Sequence, residues 1–278
     1  MSKIDLASPV VKWVGGKRQL LERLMPLFPE TYTSYCEPFI GGGAVLFALQ
    51  PENVIINDIN SELIGVYQAI KDNVDALIKR LKQFENTKEC FYDVRGWDRN
   101  AAVYNELTDI DKAARIIFLN KTCYNGLYRV NSAGEFNTPF GRYKKPNIVN
   151  ESTLRAVNKY FNAANVTILN TSYSNAVQGL PENSFIYLDP PYDPISVTAS
   201  FTGYNAGGFS RQDQIALRDC CRQLDANGIK FMLSNSATEF IQDIYSDFNI
   251  TIVPAKRAIN SVGSKRGCVD EVVVRNYE

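Results

Sequence analysis

Histidine is missing from this chain of 278 residues. That absence removes Ser-His-Asp triads, Cys-His dyads and histidine-ligated metals together. Any chemistry has to run on carboxylates, amides, hydroxyls, lysines or a bound cofactor. No two of the six cysteines (Cys36, Cys90, Cys123, Cys220, Cys221 and Cys268) are spaced as CxxC, which argues against a structural zinc site. A chain of this length does not depend on disulfide staples, so free thiols and a reducing compartment are expected. No apolar run reaches the ~18 residues of a membrane span. The opening MSKIDLASPVVKW lacks the apolar core of a signal peptide. A cytoplasmic protein without membrane association is the expectation. Net charge is absent too: 30 basic residues balance 30 acidic ones. This speaks against nucleic-acid binding unless the charge is segregated along the chain.

What is present is an ordinary globular mixture, 45% hydrophobic and 22% charged, long enough for one large domain or a large domain carrying a smaller one. GKRQLLERLMPLF (16–28) has helical spacing, SYCEPF (34–39) reads as a short strand, and a helix follows the glycines at 41–43. NVII (53–56) is a second strand, and Ser61 is expected to cap the helix after it. From there to about residue 145 the alternation of strand and helix lapses, and 61–145 reads as an inserted, mainly helical domain. Strands return at 166–169 and 185–188. A helix follows Ser210 and stops at Gly228, then strand 229–233, helix 239–248 and strands 250–253 and 271–277. Alternation of this kind predicts an α/β fold, a doubly wound, mostly parallel sheet, with the last two strands able to close as an antiparallel pair.

EPFIGGGAVLF places a glycine turn between a strand and a helix, where a backbone can approach a ligand closely. Asp58 follows Gly41 by 17 residues, at the tip of the second strand, where an acid can accept from ribose hydroxyls. A dinucleotide site would look similar, but Phe47 stands near the place of its third small residue. A tight strand-to-helix turn without a ligand is the alternative reading of these residues alone. Upstream, KWVGGKRQLL puts Lys17 at a helix start, where cations are disfavoured. A nearby carboxylate ligand would explain it; a solvated lysine is the simpler alternative.

FIYLDPPYDP carries the strongest signal. Four apolar residues, Phe185 to Leu188, read as a buried strand that delivers Asp189, Pro190, Pro191 and Tyr192 to its carboxyl end. The prolines remove two backbone donors, so acceptors remain: the Asp189 carboxylate and backbone carbonyls. Acceptors suit a substrate presenting N–H groups, such as an aromatic amine, and Tyr192 offers a flat face for a planar base.

With EPFIGGG upstream, this DPPY motif resembles those of the DNA amino-methyltransferases. KWVGGKRQLL, EPFIGGGAVLF, INDIN, YNGLYRVNSAGEFNTPFGRYKKP, YLDPPY, FSRQDQ and MLSNS are similar, in that order, to the motifs of Dam-type GATC adenine methyltransferases of the α group. The resemblance implies a Rossmann-like S-adenosylmethionine-dependent methyltransferase domain over 1–60 and 146–278, with 61–145 as the target-recognition domain. It implies that Trp13, Lys17, Phe39, Gly41, Gly43, Asp58, Tyr173 and Asp189 hold S-adenosyl-L-methionine. Asp189 and the Pro190 carbonyl would bond the target amino group, and Tyr192 would stack on an extruded adenine. Double-stranded DNA is the implied partner, with no obligate protein partner.

Residues 121–145 hold Lys121, Arg129, Arg142, Lys144 and Lys145 against one acid, Glu135, and 255–267 add Lys256, Arg257, Lys265 and Arg266. Charge is therefore segregated, and a guanidinium can read guanine bidentately. By resemblance, Arg129 reads guanine, Leu127 and Pro139 contact bases, and Tyr124 inserts at the site. Lys12 contacts the outer base pair, and Asn125 and Arg142 the phosphates. A solvated basic loop is the plainer alternative. Two further functions stay open: a cytosine amino-methyltransferase, against which Asp189 leans, and a nucleotide- or DNA-binding protein without catalysis. Carbon-5 cytosine methylation would need a cysteine nucleophile beside the DPPY strand.

Overall fold

The structure, a computed structural model, describes residues 4–195, 208–256 and 268–278. Among the described residues seven strands make one sheet: β1 (Tyr35–Glu37), β2 (Asn53–Asn57), β3 (Asn165–Leu169), β4 (Phe185–Leu188), β5 (Lys230–Ser236), β6 (Asn249–Lys256) and β7 (Cys268–Arg275). Their order is β3-β2-β1-β4-β5-β7-β6. The first five run parallel, and β7 lies antiparallel between β5 and β6. The expected doubly wound, mostly parallel sheet is therefore present, and the last two strands do pair. The insertion of β7 between β5 and β6 is a topological detail that strand patterning does not carry.

The helices are α1 (Leu21–Leu24), α2 (Ala44–Leu49), α3 (Ser61–Leu81), α4 (Lys88–Gly96), α5 (Ala101–Glu106), α6 (Asp109–Thr122), α7 (Glu151–Ala163), α8 (Tyr173–Ala176), α9 (Arg211–Ala226) and α10 (Glu239–Ile244). Both faces of the sheet are covered. Tyr35, Phe185 and Tyr187 point into a core shared with α2, α3, α6 and α7, while Cys36, Ile186 and Leu188 point into a second core shared with α9 and α10. All of β4 is buried, as a continuous apolar run in a two-sided sheet requires. The buried residues of α4 and α6 belong to the same apolar cluster as α3 and the sheet. Among the described residues no helix is long and apolar enough to cross a membrane.

Several local expectations change. GKRQLLERLMPLF breaks into two 3-10 turns flanking α1, and Pro26, with no N–H to continue the helical ladder, ends α1. Asn60, not Ser61, caps α3: its side-chain oxygen accepts from the Leu63 N–H at 2.9 Å. The helix expected after Ser210 is α9, and Ser210 caps it in a capping box with Asp213. β5 runs on to Ser236, because its ladder with β7 reaches the pair Ser236–Glu271. Of the second basic run, only the backbone of 255 and 256 lies within the described residues, so Arg257, Lys265 and Arg266 fall outside them.

Candidate active site

β1 has β2 on one side and β4 on the other, so the loops leaving β1 and β4 part at their carboxyl ends. In open α/β sheets this reversal of strand order is where ligands bind. The glycine turn after β1 and the DPPY loop after β4 flank it.

The glycine turn is held by its own backbone conformation. Gly41 and Gly43 sit at φ +46° and +70°, where side chains are strained. A Cβ on Gly41 would also lie 3.0 Å from Trp13 Cδ1. The Gly41 N–H donates to Asp58 Oδ2 at 3.1 Å, the Asn60 N–H donates to Asp58 Oδ1 at 3.0 Å, and the Tyr67 hydroxyl donates to the Gly41 carbonyl at 2.7 Å. Asp58 therefore ties the tip of β2 to the glycine turn. Burial raises its carboxyl above the usual range, with the Asn60 and Gly41 N–H groups opposing.

Lys17 is 3% exposed. Its Nζ lies 2.7 Å from Asp189 Oδ1, donates to Asp189 Oδ2 and to the Gly15 carbonyl, each at 2.8 Å, and sits 4.7 Å from the centre of the Tyr192 ring. The carboxylate that this lysine calls for is thus one of the protein's own. A second buried acid, Glu37, accepts from the Tyr35 hydroxyl at 2.8 Å. Burial pushes Glu37 well above the usual carboxylate range; the Tyr35 bond opposes this, Asp189 reinforces it and Lys17 opposes it. Asp189 is raised as well, first by burial, with Lys17 opposing and Glu271 adding to the rise.

The DPPY loop is braced from three elements. The Tyr192 hydroxyl donates to Glu271 Oε2 of β7 at 2.7 Å. Gln214 of α9 donates to the Pro191 carbonyl at 2.8 Å, and Asn235 of β5 donates to Gln214 Oε1 at 3.0 Å. Asn235 Oδ1 accepts from the Asp193 N–H at 3.0 Å, and the Asp193 carboxylate takes a two-pronged contact from Arg211 at 3.0 and 3.2 Å and a bond from Thr238 at 2.8 Å. Buried polar groups satisfied this completely make a rigid loop. Gln214 and Asn235 lie in FSRQDQ and MLSNS, strings that drew notice without suggesting that they meet at Pro191. Glu271 had no sequence signal beyond its place in a strand.

Trp13 closes one flank of the site, stacked on Tyr128 with ring centres 4.8 Å apart. Phe39 and Tyr173 stack at 5.3 Å on the other, and Phe209 meets Phe39 edge-on at 6.1 Å. Trp13, Gly41 and Asp58 are joined through the glycine turn, and Lys17, Asp189 and Tyr192 make a second group at the tip of β4. Phe39 and Tyr173 form their own pair beside α9. Cys36 lies mid-strand in β1, buried, with burial pushing its thiol up, so it is no nucleophile for carbon-5 chemistry.

The basic stretch after α6 folds as a hairpin-like loop, bridged at Cys123–Phe140 and Val130–Phe136. Asn120 fixes its root: Oδ1 accepts from the Lys12 N–H at 2.8 Å, and Nδ2 donates to the Lys12 and Gly126 carbonyls at 2.8 and 3.1 Å. Lys12 is thereby packed on Gly126, where a Cβ would come within 2.5 Å of Lys12 Cδ. Tyr124 is 58% exposed and Asn125, Arg129, Pro139 and Arg142 are exposed around it, with Leu127 half-buried. Arg129 Nε donates to Asn137 Oδ1 at 2.7 Å across the loop.

A model of the D12 class N6 adenine-specific DNA methyltransferases matches residues 13–259. The chain belongs to this family. It is 44% identical over 278 residues to the type II methyltransferase M1.LlaDCHI of Lactococcus lactis subsp. cremoris, covering 99% of this chain and 97% of that protein. It is 42% identical to the type II methyltransferase M.MjaIII of Methanocaldococcus jannaschii, covering 97% and 99%. Identity to the DNA adenine methylase of Escherichia coli K12 is 32%, covering 95% and 93%. As a D12-class methyltransferase the chain is an adenine-specific DNA-modifying enzyme, and the hairpin-like loop after α6 and the DPPY loop both fall inside the matched residues.

Proposed function

We propose that the protein transfers a methyl group from S-adenosyl-L-methionine to the exocyclic amino group of adenine within GATC in duplex DNA, after the base is swung out of the helix. The observation that carries this is the meeting of Lys17, Asp189 and Tyr192 where the ends of β1 and β4 part. The residues present fit the cofactor: Lys17 pairs with Asp189, and Glu271 lies near enough to raise the Asp189 carboxyl further, an acidic setting that suits a positively charged sulfonium.

The cofactor supplies an electrophilic methyl group on sulfur. The chain's own residues bind and align. Trp13, Lys17, Phe39, Gly41, Gly43, Asp58, Tyr173 and Asp189 form the donor pocket, with Asp58 facing ribose hydroxyls. Asp189 and the Pro190 carbonyl accept hydrogen bonds from the amino group, which raises electron density on its nitrogen and points its lone pair at the donor. The Pro191 carbonyl is already taken by Gln214, so the loop presents its acceptors in one orientation. Tyr192 stacks on the base. Alignment of this kind is the main rate contribution in an in-line displacement, and flipping the base costs ~a few kcal/mol.

Residues 61–145 act as the recognition domain on a catalytic domain of 1–60 and 146–278. Arg129 reads guanine, with Lys12, Tyr124, Leu127 and Pro139 at the bases and Asn125 and Arg142 at the phosphates. A cytoplasmic enzyme of a restriction-modification system fits the type II methyltransferases that it resembles. Plasmid DNA incubated with the protein and S-adenosylmethionine should resist a GATC nuclease blocked by adenine methylation. Full cleavage would count against the GATC assignment.

A further inference from the structure

Tyr128 precedes Arg129 in the reading hairpin, yet its ring is buried and faces the other way, onto Trp13 at 4.8 Å and nearly parallel, at 26°. Trp13 in turn lies against Gly41 of the glycine turn. One indole therefore touches the candidate donor pocket on one side and the base-reading segment on the other.

The far side of Tyr128 is anchored in an ion cluster built around the buried Arg115. Its hydroxyl donates to Glu62 Oε2 at 3.4 Å. Glu62 is in the first turn of α3, four residues after Asp58 and two after Asn60, whose N–H binds Asp58. Arg115 of α6, 0% exposed, lies between Glu62 Oε1 at 3.6 Å and Asp98 Oδ2 at 2.5 Å, and donates to the Val94 and Arg95 carbonyls at 3.0 and 3.1 Å. Asp98 Oδ2 also accepts from the Phe136 N–H at 2.8 Å, on the opposite strand of the hairpin, and the Phe136 ring meets Tyr128 edge-on. Both strands of the hairpin thus end on the one ion cluster around Arg115. A buried guanidinium with two carboxylates has little freedom to re-form elsewhere, so the cluster is a rigid base on which Tyr128 stands.

We propose that Tyr128 is a positioning residue that joins the Arg129 hairpin to the donor pocket through the Trp13 stack, so that filling one site tightens the other. The inference rests on the functional reading above. Trp13 is half-buried and Arg129 exposed, so both have freedom to lose; a ligand that fixes Trp13 against the Tyr128 ring also restrains Arg129 beside it, and that ordering cost is then met once for two binding events. Such coupling is reciprocal: cognate DNA must tighten the cofactor by the same factor as the cofactor tightens DNA.

The test is calorimetric titration of the full chain with S-adenosylhomocysteine, alone and with a saturating GATC duplex. The wild type should bind the nucleoside at least about 5-fold more tightly when the duplex is present, the lower end of ordinary coupling. Tyr128→Leu should bring that ratio close to one, while Tyr128→Phe, which keeps the stack, should retain most of it. If Tyr128→Leu fails to fold, Trp13→Phe weakens the stack from the other side and should lower the ratio too. A wild-type ratio of one, or a folded Tyr128→Leu with the wild-type ratio, overturns the proposal. A wild type that binds neither probe overturns the functional reading instead.

Discussion

The Lys17 ammonium and the Asp189 carboxylate lie 2.7 Å apart, although 172 residues separate them in the chain. The pair joins the helix start after KWVGG to the tip of β4, and the lysine holds down a carboxyl that burial would otherwise raise further. The ionised carboxylate is the acceptor the reaction needs, so activity should be lost as pH falls through its raised value. Lys17→Met removes the cation that opposes the rise. The acid limb of kcat/KM against pH should then move upward relative to wild type. Glu37, Glu271, Tyr187 and Tyr192 face the same carboxylate, so the limb belongs to the cluster. An acid limb that stays in place would separate Asp189 ionisation from catalysis.

Glu37 gives a stability prediction with a definite sign. Its folded-state carboxyl is raised, so the folded protein favours the protonated form. Its contribution is therefore greatest below the unfolded value of about 4.3 and is lost as pH rises through the raised one. Glu37→Gln is a neutral isostere that still accepts from Tyr35. Its thermal midpoint should gain on wild type as pH increases above the ordinary carboxylate range. A midpoint difference that does not change with pH refutes this.

Glu271 fixes the ring that is proposed to stack on adenine. Glu271→Leu and Tyr192→Phe both remove that hydrogen bond and leave the ring. Each should lower kcat by roughly 10- to 100-fold, the scale of a small misplacement in an active site. The double variant should cost little more than either single one. Additive losses would mean that the two residues act separately.

Arg115 neutralises Glu62 and Asp98 in a buried setting. Arg115→Met leaves Glu62 without its cation and Asp98 with Arg99 alone, and should destabilise the fold by about 1–3 kcal/mol in urea titrations. A loss under about 1 kcal/mol, the scale of an exposed pair, would show that water reaches the cluster.

The parts of this molecule that were legible in sequence are those where neighbours along the chain decide the outcome. Phe185–Leu188 is the strand expected, because a continuous apolar run stopped by two prolines has few other solutions. The helix after Ser210 is α9 as expected, and its start is local too, because Ser210 and Asp213 satisfy each other in a capping box. Where long-range partners decide, the pattern was silent. Lys17 looks like a solvated lysine until β4 brings Asp189 to it. Gln214, Asn235 and Glu271 are polar residues on elements whose polar positions usually face water, and only the fold aims them at the DPPY loop. Tyr128 sits in a run of basic and aromatic residues that reads as DNA-facing, while its ring packs inward on Trp13.

The central claim is that Asp189 presents its oxygen atoms to the amino group of a swung-out adenine. Its most direct test digests DNA treated with wild type or with Asp189→Ala to nucleosides and identifies the methylated base by mass. N6-methyladenine from the wild type, with a loss of at least about 100-fold in the folded variant, is the predicted result. Methylation by Asp189→Ala at the wild-type rate, or a methylated cytosine in place of adenine, would contradict it.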